Sequence, residues 1–227
     1  MPTVLVTSAN RGIGREFARQ YAAEGWRVLA ACRHPEEAAD DLRSLGDGVR
    51  PIAMDVTDLA SVEAVAREDD GPVDLLLNTA GIIGQSDDTP GNVNYVEWSR
   101  VLDVNTLGPV RVLDAFVERL AAAGGAKAIT MTSGMGSIGD VGSGAVMMYR
   151  TSKAAVNMAM RARSLQLKPL GIIVAVINPG WARTDMGGAN APISVEQSVT
   201  AMRGVIDGLL PEQAGSFLNW RGGTFPW

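Results

Sequence analysis

The sequence predicts an α/β fold: a doubly wound parallel sheet of about seven strands, with helices on both faces. Two observations lead there. Short apolar runs alternate with amphipathic stretches along the whole chain, which is the pattern of repeated βα units and parallel strands. The chain has 227 residues, 46% of them hydrophobic, enough for one sizeable core and suited to one domain over 1–227. No linker, low-complexity tract or tandem repeat divides it.

The elements follow in order. Val4–Thr7 reads as a buried strand and leads through a glycine turn into a helix over Gly12–Glu24. Arg27–Cys32 is the second strand, and Pro35–Leu45 a helix opening on proline. Val49–Asp55 is a strand, Leu59–Glu68 a helix, and Val73–Asn78 the fourth strand. Gln85–Asn94 is polar and turn-rich, hence a loop. Helices are expected over Trp98–Val104 and Val110–Ala123, a strand over Lys127–Ser133 and a long helix over Met148–Leu167. Ile172–Asn178 is the sixth strand, Val195–Leu209 the last helix, and Ser216–Asn219 a candidate edge strand.

Composition narrows the function. A net charge of −5 and scattered Lys and Arg exclude a nucleic-acid footprint. One cysteine, Cys32, allows no intrachain disulfide and fits a reducing compartment. One histidine, His34, leaves little scope for a His-based metal site or triad, and no metal is expected. No basic-then-apolar leader opens the chain, and no apolar run approaches the ~20 residues that span a bilayer. A soluble cytoplasmic protein without a membrane partner is expected.

In such sheets ligands bind beyond the carboxyl ends of the strands, and there the unusual residues collect. Strand one ends in Thr7-Ser8-Ala9-Asn10-Arg11-Gly12-Ile13-Gly14, where glycines let backbone approach a phosphate at a helix N-terminus; a tight turn without a ligand is the alternative. Strand two ends in Cys32-Arg33 where an acid would accept from a ribose hydroxyl. Arg33 and Arg11 instead suit a 2′-phosphate, or are two solvated surface arginines. Asp55-Val56 ends strand three, and Asp55 can accept from an adenine amine. Asn78-Thr79-Ala80-Gly81 ends strand four, with Asn78 either a ligand contact or a tie between strands. Ser133 ends strand five with a hydroxyl able to donate to a carbonyl, and Asn178-Pro179-Gly180-Trp181 ends strand six in a rigid turn. In the long helix Tyr149 and Lys153 stand one turn apart on one face. A nearby ammonium is expected to move the phenol's pKa down toward the working range; a half-buried Tyr beside a snorkelling Lys is the alternative.

As an ordered set these residues resemble the short-chain dehydrogenase/reductase family over essentially the whole chain. The match runs through the glycine motif to Gly14, Asp55-Val56, Asn78 to Gly81, Asn105, Ser133, Tyr149 with Lys153, and Pro179-Gly180 with Thr184. Ala9–Gly14, Cys32–Pro35, Thr184–Gly188 and Pro226-Trp227 look like its C-factor/sniffer-like carbonyl reductase branch. The resemblance implies a Rossmann-type fold and NADP(H), preferred over NAD(H) because of the two arginines. It implies hydride transfer from the cofactor to the carbonyl of a small hydrophobic substrate. Tyr149 would be the proton donor, Ser133 would polarise the carbonyl oxygen, and Lys153 would hold the ribose hydroxyls and lower the tyrosine pKa. Asn105 would anchor a relay water, or simply be a satisfied group at a helix kink. Cofactor contacts are expected from Ser8, Arg11, Gly12, Ile13, Gly14, Arg33, Asp55, Val56, Asn78, Ala80, Gly81, Tyr149, Lys153, Pro179, Gly180, Trp181 and Thr184.

The chain departs from the family pattern in three places. Ser8 replaces the motif's first glycine, which adds strain if that position needs positive φ. Thr79 replaces the second asparagine. The Ser133–Tyr149 segment is long, and its glycines imply a flexible loop beside the substrate. A short segment over 185–194 predicts an open cleft near Met135, Met147, Met148, Met186 and Trp181. These methionines either fill core or adapt to varied apolar shapes. Surplus apolar positions on Val110–Ala123 and Met148–Leu167 point to a homodimer, with a tetramer as the alternative and Phe225-Pro226-Trp227 as a further contact. A dinucleotide-binding signalling protein of C-factor type, with little turnover, is the second class that the sequence leaves open.

Overall fold

The computed structural model describes residues 1–68 and 71–227. Seven strands form one sheet in the order β3-β2-β1-β4-β5-β6-β7: β1 Thr3–Thr7, β2 Arg27–Cys32, β3 Val49–Ala53, β4 Leu75–Asn78, β5 Lys127–Met131, β6 Ile173–Asn178 and β7 Phe217–Asn219. Every neighbouring pair is parallel. The helices are α1 Gly12–Ala23, α2 Pro35–Arg43, α3 Leu59–Glu68, α4 Tyr95–Leu102, α5 Gly108–Ala115, α6 Val117–Ala122, α7 Met147–Leu167 and α8 Val195–Asp207.

The strands' side chains alternate between two cores. Val4, Val6, Val28, Ala30, Leu75 and Leu77 face α1 and α8, meeting Phe17, Tyr21, Val199 and Met202. The intervening Leu5, Leu29 and Leu76 face the other way, onto Val62 of α3, Val112 and Leu113 of α5, and Val156 and Met160 of α7. A strand buried on both faces reads as one continuous apolar run, which is why these segments carry no polar alternation. The order reverses between β1 and β4, so the switch point opens beside the ends of those strands, the place where such sheets bind ligands.

Several boundaries differ from expectation. α4 starts at Tyr95, because the Asn94 side chain accepts from Val96 N and Glu97 N and caps it. α4 then runs into a π-turn over Asp103–Leu107 and on into α5. The expected Val110–Ala123 helix is two helices that meet at Phe116, whose φ and ψ of −101° and 6° leave helical geometry. β4 starts only at Leu75, since Val73 N donates to Arg119 O outside the sheet ladder. No helix among the described residues is long and apolar enough to cross a membrane.

Candidate active site

The first turn of α1 is shaped by close approach. Gly12 has φ +51°, and a Cβ on Gly14 would stand 2.4 Å from Ser8 O and 2.7 Å from Thr79 Oγ1. Ser8 itself holds φ 53°, so this position does need positive φ and serine occupies it under strain. Thr7 and Thr79 lock the two switch-point strands: Thr7 Oγ1 accepts from Thr79 N at 2.9 Å and Ala80 N at 3.1 Å, and Thr79 Oγ1 donates back to Thr7 O. Thr79 therefore has a fixed structural task of its own. No side chain caps α1, and its first turn holds no acid. Free N–H groups and a glycine-bared backbone fit a phosphate group.

Beside this turn lies a cavity of about 360 Å³ lined by Ser8, Arg11, Arg33, Asp55, Val56, Ala80 and Gly81. Asp55 is fixed by Thr57, which donates to it from N at 2.8 Å and from Oγ1 at 2.7 Å. Burial pushes this carboxyl up, but the Thr57 hydrogen bonds and the Arg33 and Arg111 guanidinium groups outweigh it and hold the group below its ordinary value. A charged acceptor flanked by exposed Arg11 and Arg33 fits the adenosine end of a dinucleotide, with cations available for a 2′-phosphate. Gly12, Ile13, Gly14, Pro179 and Thr184 line the adjoining cavity of about 460 Å³, which also holds Tyr149 and Lys153.

Asn78 takes the structural alternative. It is 2% exposed, and its amide donates to Pro109 O and Thr130 Oγ1, tying β4 to α5 and β5, while its Oδ1 is buried without a partner among the described residues. Asn105 sits in the π-turn, fully buried, and pairs with Ile82 both ways at 2.8 Å while donating to Ser152 Oγ at 2.9 Å. Its side chain fastens the Gly81-Ile82 turn to α7.

Ser133, Tyr149 and Lys153 come together. The Ser133 hydroxyl lies close enough to the Tyr149 phenol to lower its pKa, and it accepts from Met135 N at 3.1 Å. Lys153 Nζ donates to Met131 O at 2.9 Å and lies 5.6 Å from the Tyr149 ring centroid. The expected depression of the tyrosine pKa is absent here: burial pushes the phenol up to about 12, and the neighbouring Ser133 hydroxyl offsets only part of that. Burial also lowers the Lys153 ammonium, to about 8. The phenol is thus a proton carrier throughout the neutral range. A third compartment, about 490 Å³, begins at Tyr149 and Ser133 and is walled by Met135, Trp181, Met186 and Phe225. Trp181 and Gly180 line only this side, not the dinucleotide side where they were expected.

One sequence expectation about loops changes. Gly134 and Gly136 form a tight turn rather than a flexible one: a Cβ on Gly136 would meet Lys153 Cβ at 2.7 Å, and one on Gly134 would meet Phe225 Cζ at 2.9 Å. Only the outer glycines, Gly142 and Gly144, have open space around them. Residues 185–194 fold back on themselves, with Gly187 N on Thr184 Oγ1 and Arg183 N on Ile193 O.

With this geometry in view, the comparisons with known proteins are direct. The sequence profile of the short chain dehydrogenase family matches residues 2–192. The chain belongs to that family. It is 41% identical over 157 residues to the C-signal protein of Myxococcus xanthus, covering 69% of this chain and 94% of that one. The NADPH-bound carbonyl reductase from chicken fatty liver superposes with a TM-score of 0.93 at 33% identity, over 100% of this chain and 94% of its own. The carbonyl reductase Sniffer of D. melanogaster does so with a TM-score of 0.93 at 29% identity, over the full length of both. The protein is a short-chain oxidoreductase of the C-factor/sniffer-like branch with the Rossmann-type sheet of its relatives, and a nicotinamide dinucleotide is its family's cofactor.

Proposed function

We propose that the protein reduces the carbonyl of a small hydrophobic aldehyde or ketone, with NADPH preferred over NADH and Tyr149 as general acid. The observation that carries this reading is that Tyr149 lines both cavities, with Lys153 on one side and Ser133 on the other. A bound dinucleotide supplies the hydride. Negative charge then builds on the carbonyl oxygen, and the Tyr149 O–H and Ser133 Oγ–H are the donors placed to meet it. Tyr149 completes the alcohol by giving up its proton. A phenol held near 12 is fully protonated at neutral pH, so it enters the reductive direction ready to donate. Lys153 holds the ribose end and stabilises the tyrosinate that remains. Asn105 acts as a positioning residue through Ile82 and Ser152.

Arg11 and Arg33 support the choice of NADPH: they line one cavity, and the residue directly after β2 is Arg33 rather than an acid, the nearest acid after β2 on that cavity's lining being Glu37. Neutral substrates are favoured because the third compartment is lined by apolar and uncharged polar groups with Asp140, and no Lys or Arg is among its described lining residues. We further read the protein as a cytoplasmic homodimer, supported by the exposed Leu107, Met158 and Leu165 beside and along α7. A monomer by light scattering at micromolar concentration would overturn that assignment.

The decisive experiment is a carbonyl screen with NADPH on the wild type and Tyr149→Phe. The wild type is expected to turn over, and the variant to lose roughly 10²–10⁴-fold in kcat while binding dinucleotide normally. The second reading, a dinucleotide-binding signalling protein, is favoured by the C-signal likeness. It wins if the wild type binds NADPH but reduces nothing in the screen.

A further inference from the structure

The loop that carries Ser133 is held by the end of the chain. After β7 the chain turns at Gly222-Gly223, with Asn219 N on Gly223 O, and runs back antiparallel, bridging Thr224 to Leu218. Phe225 N then donates to Phe217 O at 2.7 Å. The Phe225 ring packs 5.1 Å from Phe217 and lies directly over Gly134, the residue after Ser133. Two residues on, the Trp227 carbonyl accepts from Gly139 N at 2.7 Å and from Ser137 Oγ at 3.1 Å, while Ser137 Oγ accepts from Asp140 N. The indole is pinned between Phe217, at 5.5 Å, and the Arg161 guanidinium, at 5.2 Å.

Core packing alone does not account for this arrangement. Phe217 is the buried member of the cluster, whereas Phe225 is only half-buried and turns its ring into the compartment shared with Tyr149, Ser133, Met135, Trp181 and Met186. We propose that Phe225 is a specificity-determining residue, whose ring limits the apolar substituent a carbonyl substrate can carry, and that Trp227 is a positioning residue that holds the Ser133–Asp140 loop. This rests on the carbonyl reductase reading above. The simpler role, a tail that merely covers the β7 edge, would affect stability and leave substrate preference alone.

The test uses NADPH and phenyl ketones of rising chain length, from acetophenone to valerophenone. Phe225→Ala is expected to raise the valerophenone-to-acetophenone ratio of kcat/KM roughly tenfold or more, the scale of a missing methylene contact. Phe225→Leu should shift it less and in the same direction, and decides the matter if the alanine variant fails to fold. Trp227→Ala and Ser137→Ala should each lower kcat severalfold on every ketone, leaving the ratio and the NADPH Kd alone. One removes the indole that fixes the Trp227 main-chain oxygen and the other removes one of the two bonds to it, so combining them should cost less than the sum of the two. Gly134→Ala, which forces a methyl group onto the ring, should be rescued by Phe225→Ala. An active wild type with an unchanged ratio in both Phe225 variants, or kcat unmoved in Trp227→Ala, overturns the inference and leaves the carbonyl reductase reading standing. A wild type that reduces none of the series ends both.

Discussion

The two halves of the crevice are built differently. On the dinucleotide side, between β1 and β4, buried side chains and one close approach fix the backbone: the Thr7 hydroxyl ties to Thr79 N and Ala80 N, Gly14 abuts Ser8 O, and the Asn105 amide pairs with Ile82. On the substrate side, from β5 to β7, a folded-back tail and a short turn are held by aromatic rings and single hydrogen bonds, and Gly142 and Gly144 stand free. The contrast follows from the ligands each side suits. A dinucleotide is constant and rewards rigid, pre-placed donors. A carbonyl substituent varies, and adaptable methionine and aromatic walls accept it. Tyr149 lines both sides, so the chemistry proposed for it sits on the seam.

Glycine substitutions give the widest separation between the halves. Gly14→Ala puts a methyl group 2.4 Å from Ser8 O, a backbone atom that cannot swing away. We expect a loss of several kcal/mol in stability, beyond the roughly 1 kcal/mol that alanine gains in a helix, and dinucleotide affinity weakened 10²-fold or more. Gly142→Ala meets nothing within 4 Å and should be neutral in both respects. Equal effects, by urea denaturation and NADPH titration, would erase the distinction.

Arg33→Asp tests whether the dinucleotide side reads the 2′-phosphate. Charged hydrogen bonds contribute roughly 1.5–3 kcal/mol each, and partial exposure places these toward the lower end, so two arginines give a preference on the order of a hundredfold. The variant should lose most of it, weakening NADPH strongly and NADH little. A wild-type kcat/KM for NADH at or above that for NADPH, or a ratio unmoved by the substitution, refutes the assignment.

The seam itself has a pH signature. Lys153 titrates at about 8 in the fold against 10.5 in the open, because burial disfavours its charge. Between those values the unfolded chain binds more protons, so stability rises with pH. The rise should amount to about 2 kcal/mol from pH 8 to 10, at 1.36 kcal/mol per unit. Tyr149 acts later and oppositely: its raised pKa adds stability that is lost as pH climbs from 10 toward 12. Lys153→Met should flatten the rise below pH 10, and the difference between the two denaturation profiles isolates it. Parallel profiles would mean that the lysine is not desolvated.

Much of this was legible in the sequence, for reasons that differ by region. The strands declared themselves because a segment buried on both faces must be apolar throughout, and Tyr149 with Lys153 declared a site because one helical turn fixes their spacing. For Asn78 and Asn105 the sequence offers the structural task beside a ligand or relay role and does not choose, since the partners Pro109, Thr130 and Ile82 lie 31, 52 and 23 residues away. The tyrosine shift went the wrong way because desolvation depends on what packs around the phenol, which residue spacing does not encode. The sequence offers Phe225 as a further subunit contact and not as a wall of the site, since nothing in it says that the chain doubles back along β7. An aromatic pair just after Gly222-Gly223 was the one signal available.

The smallest effect concerns strain. Each half holds one non-glycine residue in the left-handed region, Ser8 at φ 53° on the dinucleotide side and Val146 at φ 52° before α7. The conformation costs an ordinary residue roughly 1–2 kcal/mol, and a β-branched one more than a short polar one. Glycine removes that cost but loses more chain entropy on folding, about 0.5–1 kcal/mol. Ser8→Gly should therefore gain at most about 1 kcal/mol, or roughly 2–4 °C in Tm for a chain of this size, and Val146→Gly somewhat more. Function should separate them further. Ser8 lines the dinucleotide cavities, so its replacement reads out in NADPH Kd, whereas Val146 stands three residues before Tyr149 and reads out in kcat. If both glycine variants lose stability, the two residues are held by contacts that repay their strain, and the backbone is tighter on both sides than the positive φ angles alone imply.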